Sequence, residues 1–94
     1  MKLQQLKFLV EVDARSLNVS DAAKALFTSQ PGVSKQIRLI EDELGLTVFE
    51  RHGKRLTAVT PAGRLVLDSA RRILREVDNL KRIGNDYASE SDGL

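Results

Sequence analysis

The chain has 94 residues, with one histidine, one tyrosine, no cysteine and a hydrophobic fraction of 41%. This length fits one small domain or a part of a longer protein. The lack of cysteine excludes disulfides and thiolate metal sites. Because the sequence shows no signal peptide and no membrane span, we expect a cytoplasmic protein. The net charge is +2, but residues 51–75 hold seven basic residues against one acid, which favours a polyanionic partner.

The first predicted element is a helix from Lys2 to about Ala14. Its apolar residues fall on nearly all sides, with Leu6 and Leu9 on one side and Phe8 on another. A helix of this kind is usually buried between two layers, so we expect other elements to pack on both of its sides.

A short second helix is predicted to follow a loop. Ser20 is the predicted N-cap, and the helix runs from Asp21 to Leu26, with Asp21 in the first turn where a negative charge is favourable. The chain then breaks at Phe27 and Thr28, without the glycine that is common in such turns.

A third helix is predicted to end at Leu44, with Thr28 or Ser29 as its N-cap and Pro31 in its first turn. Gly45 follows, where a left-handed residue commonly terminates a helix. One face of the helix is an apolar stripe: Val33, Ile37, Ile40 and Leu44. The other face is mostly polar: Gln30, Pro31, Ser34, Lys35, Arg38 and Asp42.

Residues 46–59 predict a small β-hairpin, or wing, because short apolar stretches there flank a loop. The loop from Arg51 to Arg55 includes Lys54 and is strongly basic. His52 lies in the same loop and is interpreted as a loop residue, since a lone histidine without cysteine has no zinc ligand set.

Thr60 and Pro61 predict the N-cap and the first residue of the longest helix, with about 28 residues. Its apolar residues have heptad-like spacing: Val66, Ala70, Ile73, Val77, Leu80, Gly84 and Tyr87. At 1.5 Å per residue the helix spans roughly 42 Å, more than three short helices can cover. We therefore expect a second chain to cover most of this seam, and the first helix to cover only its N-terminal part.

The second and third helices form a helix-turn-helix arrangement. The third helix fits the DNA major groove, where Gln30 and Ser34 can bond to base edges. Lys35 and Arg38 can reach guanine acceptors or phosphates. Glu41 and its two acidic neighbours are expected to repel phosphate, which favours entry by the N-terminal half of the helix.

Two classes of function stay open from these residues. One is a sequence-specific DNA-binding dimer; the other is a protein interaction module whose long helix binds and whose basic face is incidental. The salt dependence of duplex binding separates them. An enzyme is rejected, because the sequence has no paired carboxylate site, no nucleophile with a base and no phosphate-binding loop.

Several motifs accompany these elements. They are Ala22-Ala23, the run from Thr28 to Ile37, Glu41, Leu44-Gly45, Phe49, Arg51 and the run from Thr60 to Gly63. Together they resemble the winged helix-turn-helix domain of LysR-type transcriptional regulators, over nearly the whole chain. Finer details (TSQPGVSKQ, EDELG and GKRLTAVTPAG) are similar to members of the family that regulate cysteine biosynthesis and sulfur assimilation.

The resemblance implies a mainly α fold. A winged helix-turn-helix of three helices and a small β-hairpin occupies residues 1–60, and a linker helix for dimerisation occupies residues 61–90. Residues 91–94 are expected to form a tail toward a C-terminal effector-binding domain of the periplasmic-binding-protein type. The implied partners are double-stranded promoter DNA and a second copy of the chain. The full-length protein is expected to form a tetramer, and a small-molecule effector is expected to bind only to that further domain. No metal or cofactor is implied.

The resemblance also assigns roles position by position. Base readout falls on Gln30, Pro31, Ser34 and Lys35. The basic tip of the hairpin is similar to the family's minor-groove arm. With the charges and faces described above, contacts to the DNA backbone or minor groove are expected at Thr28, Ser29, Arg38, Arg51, Lys54, Arg55 and Arg64. The heptad-like seam predicts the dimer interface at Val66, Ala70, Ile73, Val77, Leu80, Gly84 and Tyr87. Lys35 departs from the arginine of many relatives and cannot make its planar bidentate contact with guanine, which gives weight to a phosphate contact.

Overall fold

A computed structural model describes the backbone of residues 1–92 and the side chains of residues 1–88. The elements in chain order are α1 (Leu3–Ala14), α2 (Val19–Ala25), α3 (Gln30–Leu44), β1 (Phe49–His52), β2 (Arg55–Val59) and α4 (Pro61–Asp92). The predicted fold of short helices, a hairpin and a long C-terminal helix is confirmed. Within residues 1–92, none of the helices combines the length and the apolar character that a membrane crossing demands.

Helix α1 lies at the centre of the domain and packs against α2, α3 and α4. Leu6, Phe8, Leu9 and Val12 are buried, and Leu9 and Val12 have no exposed surface. The prediction that α1 is covered on both sides is therefore confirmed. Burial of an aliphatic side chain contributes roughly 1.5–3 kcal/mol, so these residues are a main source of the domain's stability.

The start of α2 differs from the prediction. Asn18, rather than Ser20, is the N-cap, and its side chain accepts a 3.0 Å hydrogen bond from the Asp21 N–H. Asn18 has the extended backbone of an N-cap, whereas Ser20 already lies inside the helix. The helix therefore begins at Val19, and it ends at Ala25 with Leu26 as its C-cap.

Helix α3 has the predicted boundaries. Ser29 is the N-cap, and its hydroxyl oxygen accepts a 3.1 Å hydrogen bond from the Gly32 N–H. Gly45 ends the helix in the left-handed region at φ 70°, a conformation that costs glycine little. The apolar stripe faces the core, with Val33, Ile37 and Ile40 buried and Leu44 half-buried.

Strands β1 and β2 form an antiparallel hairpin, as predicted. Phe49 pairs with Val59 at the base and His52 pairs with Arg55 near the tip, with a register shift between Glu50 and Arg51. The inner face of the hairpin is anchored in the core by Phe49, which is fully buried, and by Leu56. The basic tip is thereby held at a fixed place beside α3.

Helix α4 begins at a close contact with the chain before the hairpin. The Thr60 hydroxyl caps the helix by accepting a 2.8 Å hydrogen bond from the Gly63 N–H. A side chain at Gly63 would place its Cβ 2.1 Å from the Val48 carbonyl oxygen, so only glycine fits. The helix continues to Asp92, two residues into the predicted tail at 91–94, and residues 93–94 lie outside the described residues.

Candidate nucleic-acid interface

The outward face of α3 presents the predicted base-reading residues together. Gln30, Pro31 and Lys35 are exposed and Ser34 is half-buried. They line a groove of about 770 Å³ between α3, the start of α2 and the hairpin, which Arg38, Arg51 and Lys54 also line. The structure therefore brings the predicted base-reading residues and two basic residues of the predicted wing to one surface.

The start of α3 is open to solvent. Thr28, Ser29 and Gln30 are exposed there, and Pro31 has no N–H to satisfy. Before them, Phe27 turns the chain at φ 55° and is 97% exposed. The N-terminal end of α3, with its positive dipole end, can therefore approach a phosphate without obstruction.

Glu41 does not have the role that the sequence suggested. It is 7% exposed, and its carboxylate accepts hydrogen bonds from the Val48 N–H at 2.7 Å and the Phe49 N–H at 3.3 Å. The Arg51 guanidinium donates to the other carboxylate oxygen at 3.1 Å. The expectation that Glu41 repels phosphate is wrong, because the charge is buried and paired; among the three acids, only Asp42 and Glu43 are exposed.

The basic residues of the hairpin fall into two groups. Lys54 and Arg55 are exposed near the tip with His52. Arg51 pairs with Leu56 in the sheet, and its side chain is 25% exposed because it lies over Glu41. Lys54 and Arg55 are therefore free to approach a phosphate, whereas Arg51 has only its remaining N–H donors to offer.

Arg64, which was predicted to contact the DNA backbone, forms an ion pair within the chain. Its guanidinium donates to the Asp13 carboxylate at 3.3 Å, and Arg71 donates to the same oxygen. Asp13 is 51 and 58 residues away from these arginines, so no helical spacing indicated the contact.

The predicted seam of α4 divides into two parts. Ala70 is 1% exposed and Val66 is half-buried against the domain core, so these two belong to the packing of the chain itself. Farther along, large apolar residues are exposed: Ile73 at 42%, Leu80 at 67% and Tyr87 at 68%. The prediction that the chain itself covers the N-terminal part of the seam is confirmed. Ala70 therefore offers almost no surface to a second chain.

A helix-turn-helix with an exposed polar face, a basic hairpin beside it and a long terminal helix defines the class of winged helix-turn-helix regulators. The family described as "Bacterial regulatory helix-turn-helix protein, lysR family" matches residues 3–64. The chain belongs to this family, which confirms the resemblance seen in the sequence.

Individual relatives agree with the family match. The chain is 53% identical over 93 residues to the HTH-type transcriptional regulator CysB of Burkholderia cenocepacia, covering 99% of this chain and 30% of that protein. It is 43% identical over 94 residues to the HTH-type transcriptional regulator cbl of Escherichia coli K12, covering 100% and 30%. The chain thus spans about 30% of the length of these relatives.

A solved structure supports the fold. The crystal structure of a CbnR DBD–DNA complex superposes with a TM-score of 0.82 at 34% identity, covering 94% of this chain and 99% of that one. The likeness includes the hairpin and most of the long helix, because it extends over nearly the whole of both chains. The winged-helix architecture is thereby confirmed.

Proposed function

We propose that this chain is the DNA-reading part of a cytoplasmic transcriptional regulator that controls cysteine biosynthesis and sulfur assimilation genes. The observation that carries the proposal is the single groove in which Gln30, Ser34, Lys35 and Lys54 meet. The likeness to CysB and Cbl regulators supports the choice of genes. The partner is double-stranded promoter DNA.

The start of α3 reads the bases in this proposal. The amide of Gln30 can both donate to and accept from base edges, and the Ser34 hydroxyl can do the same over a shorter reach. Pro31 offers an apolar contact to a thymine methyl group. Lys35 supplies one positive charge at the same face, suited to a guanine acceptor or a phosphate.

Contacts to the DNA backbone come from two sides of this helix. Thr28 and Ser29 lie at the helix start, and Arg38 lies on its exposed face. Lys54 and Arg55 extend the basic surface to the flanking backbone or minor groove. Arg51 and Arg64 contribute less charge than these residues, because Glu41 and Asp13 already neutralise much of theirs.

Residues 61–90 act as a dimerisation helix in the proposal. Several large apolar side chains of α4 are exposed to solvent, and the same helix of a second copy can cover them. The predicted positions available for this are Ile73, Val77, Leu80, Gly84 and Tyr87. In the full-length protein two such dimers form a tetramer, and a C-terminal domain binds the small-molecule effector.

Fluorescence anisotropy over a salt series tests the proposal. The chain is titrated against a duplex from a sulfur-assimilation promoter and against a scrambled duplex of equal length and composition. We expect the promoter duplex to bind about tenfold tighter or more, with log K falling steeply against log salt for both duplexes. Equal affinities with a steep slope would assign the domain to another set of genes.

A helical protein interaction module is the second candidate, and the exposed apolar face of α4 is the observation that favours it. Such a module binds neither duplex tightly at any salt concentration. The absence of binding to both duplexes would therefore replace the proposed function with this one.

A further inference from the structure

One carboxylate on α1 is bound by two arginines of the long helix. Asp13, near the end of α1, accepts hydrogen bonds on one oxygen from both Arg64 and Arg71 of α4. The Asp13 side chain is 12% exposed, whereas the side chains of Arg64 and Arg71 are 49% and 34% exposed. Water therefore screens the Arg71 pair, which is partly buried, less than it screens the Arg64 pair. The two arginines are seven residues apart, which places them on one face of α4 about 10 Å apart along its axis.

Apolar side chains of α4 also pack in the same place, and these contacts are less directional than hydrogen bonds. Leu67 and Ala70 are buried in the core shared with α1, and Leu74 is partly buried there. Apolar packing is non-directional and allows packed helices to slide by small amounts. Hydrogen bonds from two guanidinium groups to one carboxylate are directional, and here they hold α4 at two points two turns apart.

Beyond this attachment, α4 extends away from the domain. Between residues 75 and 88 no side chain is fully buried within the chain. The distance from Arg71 to Tyr87 along the helix is about 24 Å, at 1.5 Å per residue. A tilt of about 10° at Asp13 moves the far end by about 4 Å, close to the 3.4 Å rise of one base pair.

We propose that Asp13 is a specificity-determining residue that sets the separation of the two half-sites read by a dimer. It acts through Arg64 and Arg71 by fixing the tilt of α4 relative to α3, and it touches no DNA itself. The inference rests on the proposed function, because the tilt matters only where two reading heads are joined through their long helices.

Selection from random DNA tests this role. The chain selects from a pool of synthetic duplexes with a random central segment of about 30 base pairs, long enough for two half-sites one helical turn apart. Sequencing of the bound duplexes gives the half-site motif and the distribution of distances between two motifs. The same selection is done with Asp13→Asn, which removes the charge and preserves the size of the side chain.

Wild-type chain is expected to select one spacing, and duplexes with one base pair more or less should bind about tenfold more weakly. Asp13→Asn is expected to select the same half-site motif over several neighbouring spacings, with affinities equal to within about threefold. Affinity for a duplex with a single half-site should stay unchanged. Glu11→Gln is the matched control, since it breaks the 2.8 Å Glu11–Arg15 pair within α1 and leaves α4 untouched.

Each result has a distinct meaning. One sharp spacing for both Asp13→Asn and wild type, or no preferred spacing for wild type, overturns the role of Asp13 while DNA reading stands. If wild type enriches no motif, the proposed function fails and this inference fails with it. Should Asp13→Asn not fold, Arg71→Gln removes one of the two attachments, and it is expected to broaden the spacing as well.

Discussion

The guanidinium of Arg51 in β1 donates a 3.1 Å hydrogen bond to the carboxylate of Glu41 in α3. The second oxygen of that carboxylate accepts the backbone N–H groups of Val48 and Phe49 at 2.7 and 3.3 Å. The buried Glu41 side chain of the proposed reading helix therefore fixes the backbone at the start of the hairpin. It also fixes the position of a basic residue on the inner face of the hairpin.

Replacement of Glu41 by alanine should destabilise the domain strongly. Two buried N–H groups and the Arg51 guanidinium lose their acceptor, and loss of one partner of a buried charged pair costs about 3 kcal/mol or more. Urea unfolding monitored by circular dichroism gives the free energy of unfolding. Asp42→Ala is the control, because Asp42 is the exposed neighbour at the same helix end, and its loss should change stability by less than about 0.5 kcal/mol. Equal stability of the two variants would contradict the structural role of Glu41.

Gly63→Ala should be among the most harmful single-methyl changes in the chain. The added Cβ would lie 2.1 Å from the Val48 carbonyl oxygen, so the start of α4 must move away from the segment before the hairpin. Overpacking of this kind costs about 1–3 kcal/mol, which thermal unfolding detects readily. Asp68→Ala is the control within the same helix, because Asp68 is exposed and lies off the predicted seam. There alanine should change stability by less than about 0.5 kcal/mol.

Local patterns in the sequence predicted most of the fold. The apolar stripe of α3 with Ser29 before it and Gly45 after it specifies a helix by spacing and caps, which act over a few residues. The start of α2 was misplaced because Asn18 and Ser20 are both good N-cap residues, and backbone geometry decides between them. Such a choice is made by the whole fold rather than by propensity.

The contacts that the sequence did not reveal join residues far apart in the chain. Asp13 and Arg71 are 58 positions apart, and Glu41 contacts the hairpin only because the turn after Gly45 brings the chain back. Both acids look like ordinary surface residues in the sequence, since nothing local marks a carboxylate as buried. For the same reason, the ion pairs of Arg51 and Arg64 could not be foreseen from the sequence.

Gln30→Ala tests base readout at the start of α3. Loss of the amide should weaken binding to a cognate duplex by about 1–3 kcal/mol and relax the base preference at one position, because the amide bonds to a particular base edge. Anisotropy titrations against the cognate duplex and its single-base variants measure both effects. Gln4→Ala is the control, an exposed glutamine on α1 outside the groove, and it should bind like wild type. A loss of the same size on every duplex would instead make Gln30 a phosphate contact.

Lys54→Ala tests the hairpin as a backbone contact. Binding should weaken on cognate and scrambled duplexes alike, and the slope of log K against log salt should become shallower by about one unit, since one phosphate contact is lost. Lys81→Ala removes the same charge from the distal part of α4 and should leave the slope unchanged. An unaltered slope for Lys54→Ala would exclude this lysine from the DNA surface.

Leu80→Arg tests the proposed dimer. Leu80 is 67% exposed in the single chain, so the arginine can be accommodated without loss of the fold, whereas a second helix packed on this face would bury its charge. We expect light scattering to give a monomer. Binding to a duplex with two half-sites about 34 Å apart should fall strongly while single half-site binding is retained. Asp78→Arg, on roughly the opposite face of α4, should remain dimeric. If the Leu80→Arg chain is still a dimer, the dimer interface lies on another surface. The exposed apolar residues of α4 would then contact a different partner.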